Sequence, residues 1–189
     1  LVGCDNSHYM YVYDLETLQP DRPIKMETGD YVQSVAASAK GILAVVRDSG
    51  GADPHIHRID MVTRTSTKLP SLGTFENRVA LNTVLTPSPN GSTIFGASSD
   101  GTVYLYDANV DNFTIARKDF DKLSGGFAAS SFDQFVVGNY LLNKSLVRTA
   151  TFESSTGTTS GFAFVDNMGL RTTAPSASSP GVMQRIAAG

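Results

Sequence analysis

Three oxygen-bearing side chains alternate along Asp107-Ala108-Asn109-Val110-Asp111-Asn112. A hard divalent cation collects carboxylate and amide oxygens from one short loop, so the D-x-N-x-D spacing makes Asp107, Asn109 and Asp111 a candidate calcium set. The sixth position is Asn112 where such loops carry Gly, and the twelfth is Lys118 where they carry a bidentate Glu. A polar hairpin turn is the competing reading. The second candidate set is His55 and His57. Two residues apart on a strand, they share a face, which is the placement a transition metal needs. Asp53 or Asp60 would have to supply a third ligand; otherwise they are ordinary strand histidines.

Nucleophilic catalysis finds no support. No G-x-S-x-G elbow surrounds any Ser, and there are only three His. The single cysteine, Cys4, excludes an internal disulfide. Leu1-Val2-Gly3-Cys4 has the form of a bacterial lipoprotein cleavage box, a reading that requires a preceding apolar segment. The alternative is a small residue in a strand. P-loop, dinucleotide and zinc-finger spacings are absent. Gln33, Asn82 and Gln184 are polar residues within apolar runs that read as first strands. They are candidates for lining a wet channel, and being uncharged they make poor acids or bases.

These residues are positioned by short alternating runs rather than helices. Aspartates close such runs at Asp14, Asp60, Asp107 and Asp166, at spacings of 46, 47 and 59 residues. A period near 40–50 with several short strands per repeat predicts an all-β propeller built from four-stranded antiparallel blades. Gly3–Asp14 and Gly96–Asp107 align without a gap, each running from a glycine through a polar turn to a strand ending in Tyr-Asp. Asp100-Gly101 between two strand-like runs is a strong hairpin signal. The closing aspartates cap turns between third and fourth strands by bonding their own backbone. The spans expected are a partial blade at 1–22, blades at 30–73, 79–120 and 125–176, and a first strand of a further or shared blade at 180–188. About four blades are therefore present. They make either a closed four-bladed ring or part of a longer propeller, whose open faces would pair in a homodimer.

Ser88-Pro89-Asn90-Gly91 followed by Ser99-Asp100-Gly101-Thr102-Val103-Tyr104-Leu105-Tyr106-Asp107 resembles WD-repeat propellers and the bacterial YVTN-type propellers. The chain has no Trp, and no Gly-His pair precedes its inner strands, so the resemblance leans to the bacterial type. It implies a propeller fold and no single activity.

Net charge is −3 from 15 basic and 18 acidic residues. No basic stripe marks a nucleic-acid footprint, and no apolar run reaches the roughly 20 residues of a membrane helix. Few charges and abundant Ser, Thr, Gly and Ala suit a secreted or periplasmic protein. Three glycosylation triplets begin at Asn90, Asn112 and Asn143. The leading functional expectation is a non-enzymatic binding or scaffold propeller with no cofactor and an unknown protein or small-molecule ligand. The loops Asp48–Pro54 and Glu153–Ser160 are its expected contact points. The alternative is a lactonase-, glycosidase- or quinoprotein-like enzyme with a site at the central channel.

Overall fold

The computed structural model describes residues 1, 7–48, 54–152, 161–166, 168–173, 178 and 180–187. The described residues form seventeen strands and no helix. The strands form five antiparallel sheets in chain order. The first pairs β1 (Tyr9–Tyr13) with β2 (Pro20–Lys25). The second is β3 (Asp30–Ser38), β4 (Gly41–Asp48), β5 (His55–Asp60) and β6 (Thr65–Lys68). The third is β7 (Val84–Pro87), β8 (Thr93–Ala97), β9 (Val103–Asp107) and β10 (Asn112–Arg117). The fourth is β11 (Phe127–Ala129), β12 (Phe135–Val137), β13 (Tyr140–Leu142) and β14 (Arg148–Thr151). The fifth is β15 (Phe162–Val165), β16 (Met168–Thr173) and β17 (Val182–Ala187). Each sheet is a meander, and the first strands β3, β7, β11 and β15 pack on one another in succession. That is a propeller arc with its blades stacked face to face.

The inner strands of the second, third and fourth sheets are apolar on both faces because each of these sheets is buried between two neighbours. In β8 all five residues are buried. Ile94 points into the seam with the second sheet, beside Leu43, Val45, Tyr104 and Tyr106. Phe95 points the other way, into the seam with the fourth sheet, where it stacks on Phe135 at 5.1 Å. Met10, Val12 and Ile24 fill the first seam against Val32, Val46 and Ile59. Phe152, Phe162 and Phe164 close the fourth seam over Ala128, Val136 and Leu141. The core is therefore four separate slabs, each made from residues of alternating parity on two sheets.

The turns between third and fourth strands share one construction. Asp14 accepts the N–H groups of Glu16 and Thr17, Asp60 those of Val62 and Thr63, and Asp107 that of Asn109. Four residues after each aspartate a residue takes a left-handed conformation: Leu18 at φ 57°, Arg64 at 61° and Asp111 at 53°. Such a turn needs a side-chain acceptor at its start to replace backbone bonds lost in turning.

Asp166 does not belong to this set. It lies between β15 and β16, the first and second strands of the fifth sheet. The equivalent residue in the fourth sheet is Asn143, which accepts the N–H groups of Ser145 and Val147 and is followed by Leu146 at φ 57°. This shifts the later boundaries. The stretch 125–176 holds the whole fourth sheet and two strands of the fifth, and Val182–Ala187 is the third strand of that fifth sheet, paired with β16. An amide does the work of the carboxylate in a shorter repeat, so counting aspartates merged two blades into one. Gly101, read as a turn glycine, is required by geometry. At φ +93° an added Cβ would sit 1.6 Å from the Phe120 carbonyl oxygen.

Candidate functional site

In a four-stranded meander, the connections between second and third strands leave from the same end as those between one blade and the next. The connections 49–54, 69–83, 118–126 and 152–161 all emerge at this end. Among the described residues, the opposite end carries short turns such as 39–40, 61–64 and 108–111. The loops Asp48–Pro54 and Glu153–Ser160 thus leave their sheets at one common end. Residues 49–53 and 153–160, with Asp53 among them, lie outside the described residues, as does Cys4.

Backbone register gathers a set of titratable groups at that end. Asp30 opens β3 and pairs with Asp48, which closes β4. The Asp30 N–H donates to the Glu27 carbonyl at 3.0 Å. His8 Nδ1 lies 3.2 Å from the Asp30 carbonyl, and its ring lies 4.8 Å from that of Tyr31. Arg47, the cross-strand neighbour of Tyr31, lies over the Tyr31 ring at 5.5 Å. Burial, with the carboxylates of Glu27 and Asp48 nearby, pushes the Asp30 carboxyl above its usual range, while His55 and His8 oppose that shift. Carboxylates and imidazoles from residues 8 to 55 thus converge where the long connections begin. Sequence spacing could not show this, because pairing of β3 with β4 creates it.

The linker 69–83 is held at the same end by a buried amide. Asn77 accepts the Ile56 N–H at 2.8 Å and donates to the carbonyls of Ile56 and Leu69. A long connection pinned this way is a fixed platform rather than a loose strap.

Of Asp107, Asn109 and Asp111, the two carboxylates are engaged by protein donors. Asp107 Oδ1 is taken by the Asn109 N–H. Asp111 faces the second sheet, where Oδ1 accepts from Arg58 at 2.5 Å and from the Tyr106 hydroxyl at 2.6 Å. The Arg58 guanidinium supplies the positive charge beside this carboxylate. Those bonds hold the Asp111 carboxyl below the usual range, the Tyr106 hydroxyl first and Arg58 with it. Asp111→Ala separates the two roles. Loss of the tie should lower Tm by about 2–4 °C in calcium-free buffer, as expected for roughly 1 kcal/mol in a half-exposed pair. A calcium site would instead show a Tm that rises with added calcium in the wild type and not in the variant.

His55 and His57 share one face of β5, as their spacing requires. Among the described residues no group of three or more His, Cys, Asp or Glu is placed to hold a metal, and Asp60 is committed to its own turn. His57 Nδ1 lies 2.9 Å from Ser66 Oγ, and burial, then His55 and Lys68, push its imidazole down to about 4 from 6.5. Above pH 6.5 both folded and unfolded imidazoles are neutral and the contribution is whole. Between pH 6.5 and 4 the unfolded chain takes a proton that the folded one resists, so stability falls as pH falls. The wild type should therefore lose more Tm than His57→Asn on going from pH 7 to pH 4.5. The difference should be about 1–2 kcal/mol after allowance for solvent screening.

Gln33 lies on the second sheet, Asn82 just before the third and Gln184 on the fifth. Gln33 is the bulge residue of the inner strand β3, and its Oε1 is buried without a hydrogen-bond partner. Asn82 sits before β7 in a turn, at φ 62° and exposed. Gln184 lies on a third strand, opposite Arg171. The placements of Asn82 and Gln184 thus correct the first-strand reading. No helix among the described residues is long and apolar enough to cross a membrane.

No family model matches the chain, and no curated protein matches it. Solved structures do. A chain in the crystal structure of the mitotic checkpoint complex superposes with a TM-score of 0.60 at 16% identity, over 99% of this chain and 60% of that one. The crystal structure of RRP9 WD40 repeats superposes with a TM-score of 0.55 at 8% identity, over 80% of this chain and 50% of that one. The chain thus spans 60% and 50% of the lengths of these two solved chains. By fold it is an all-β propeller of four-stranded antiparallel blades, and one of these two neighbours is described as WD40 repeats.

Proposed function

We propose that this protein is a non-enzymatic scaffold propeller that binds a protein partner at the end where its long connections emerge. The observation carrying this reading is the shared origin of 49–54, 69–83, 118–126 and 152–161 at one end, beside Glu27, Asp30 and Asp48. Loops on a rigid sheet scaffold are the usual seat of recognition. The carboxylates there suit a partner segment carrying Lys or Arg. The neighbour named for the mitotic checkpoint complex, a structure of an assembly, agrees with such a role. The bacterial YVTN-type affinity and a secreted or periplasmic home belong to the proposal on sequence pattern and composition alone.

The test replaces 49–53 and 154–159 with Gly-Ser linkers of equal length, separately and together, and measures affinity for a partner cross-linked in the native source. The double replacement should weaken binding at least about tenfold, the worth of one good contact, with Tm held within a few degrees. Unchanged affinity would remove the role of these loops.

Catalysis at this end is the second reading, and its one supporting observation is the raised carboxyl of Asp30, as a general acid requires. Asp30→Asn separates the two. A scaffold keeps a fold-competent chain with affinity changed only through charge, whereas an enzyme loses turnover by orders of magnitude.

A further inference from the structure

His8 holds the connection between the first two sheets at three backbone points. The Met26 N–H donates to the His8 carbonyl at 2.8 Å, the Gly29 N–H donates to His8 Nδ1 at 3.3 Å, and the Asp30 carbonyl lies 3.2 Å from that same nitrogen. One nitrogen cannot serve both neighbours at once. As a lone pair it accepts from Gly29; carrying a hydrogen it donates to the Asp30 carbonyl. An imidazolium has hydrogen on both ring nitrogens, so protonation commits Nδ1 to Asp30. Imidazoles ordinarily change charge between about pH 5 and 8.

Charged groups stand on every element around this imidazole. Lys25 closes β2 and Glu27 follows it, Asp30 opens β3, Arg47 and Asp48 close β4, and His55 opens β5. Asp30 is central to them. Burial and the carboxylates of Glu27 and Asp48 disfavour its charge, while His55 and His8 favour it. With both imidazoles neutral, the three carboxylates of this cluster outnumber its two cations, Lys25 and Arg47. With both protonated, four cations outnumber three carboxylates, so the described cluster changes sign. The third histidine does not join in. Burial, then His55 and Lys68, hold His57 down to about 4, and it stays neutral while ordinary imidazoles titrate.

We infer that His8 and His55 make this end an acid-sensitive switch. At neutral pH its carboxylates are offered to a segment bearing Lys or Arg; on acidification the two imidazolium groups take up those carboxylates and the segment is released. The inference rests on the reading of this end as the seat of such a segment. Acid acts twice in the same direction. It adds positive charge beside Asp30, and it moves the His8 contact from the Gly29 N–H to the Asp30 carbonyl, a charge-assisted bond that holds the connection more firmly. A Lys or Arg at these two positions would cancel the carboxylates at every pH, whereas an imidazole cancels them only in acid.

The test uses the full chain and hexalysine as the probe. Its affinity, measured by calorimetry at low ionic strength, should fall about tenfold or more between about pH 7.5 and 5.5. In the double variant His8→Gln/His55→Gln the affinities at the two pH values should agree within about twofold. Gln keeps an acceptor for the Gly29 N–H and a donor for the Asp30 carbonyl, and a Tm close to that of the wild type shows that the variant is folded. A fall that survives in the double variant would belong to the Asp30 carboxyl alone and would overturn the inference, as would equal wild-type affinities at both pH values. Ring signals of His8 and His55, followed by NMR in the peptide-free chain, separate the switch from the reading it rests on. Asp30→Asn removes an anion beside His8 and should move its titration down by about half a pH unit. An unmoved titration overturns the switch. Hexalysine that fails to bind at neutral pH while the titration moves as expected overturns the seat for a basic segment, and the release with it.

Discussion

Phe95→Ala should lower Tm by roughly 10 °C, the effect of removing about 3–5 kcal/mol from a domain of this size. Phe95 is fully buried and fills the seam between third and fourth sheets, stacked on Phe135 and packed beside Leu105 and Leu142. The two sheets are held apart by their other side chains, so the cavity cannot collapse and both terms of the loss apply: lost transfer energy and lost contacts. Phe132, which is 60% exposed, is the control, and its truncation should shift Tm by about 1 °C or less. Scanning calorimetry of both variants checks the slab arrangement. Equal losses would mean that the third and fourth sheets do not pack through Phe95.

Asn77→Ala should cost about 2–4 kcal/mol, because it strands the Ile56 N–H and the Leu69 carbonyl, the Ile56 carbonyl keeping its bond from the Leu69 N–H. The side chain is 7% exposed and bonds Ile56 through both its N–H and its carbonyl. Asn77→Asp should recover little. The carboxylate can still accept from Ile56, but it faces the carbonyls of Ile56 and Leu69 that the amide had satisfied. Loss of exchange protection should concentrate at Ile56 and Val79, whose N–H groups bond at this junction. Because the linker 69–83 forms part of the proposed binding end, Asn77→Ala should also weaken partner binding, whereas Phe95→Ala, at conditions where it stays folded, should not.

The repeat Gly96–Asp107 was legible because its signals are local: an Asp-Gly turn, alternating apolar residues and an aspartate that bonds its own backbone. The same turn in the fourth sheet was illegible by aspartate spacing, since Asn143 has replaced the aspartate and the blade is shorter. Asp111 shows the limit from the other side. Its place in a D-x-N-x-D run suggested a cation, and the residue that answers it, Arg58, lies 53 positions away on another sheet. The cluster around Asp30 depends likewise on cross-strand register, which no motif encodes. Local turn chemistry reads from sequence; contacts made by stacking blades do not.

The central claim is that a protein partner docks at the end carrying the long connections. A photo-cross-linking residue placed at Asp121, in the connection 118–126, probes that end, and one at Val62, in the tight turn 61–64, probes the other. Both positions are exposed, so neither substitution disturbs a seam. Irradiation in an extract of the native source, followed by mass spectrometry of the adducts, should give partner adducts at Asp121 and none at Val62. Adducts at Val62 alone, or equally at both, would contradict the assignment of this end as the binding face.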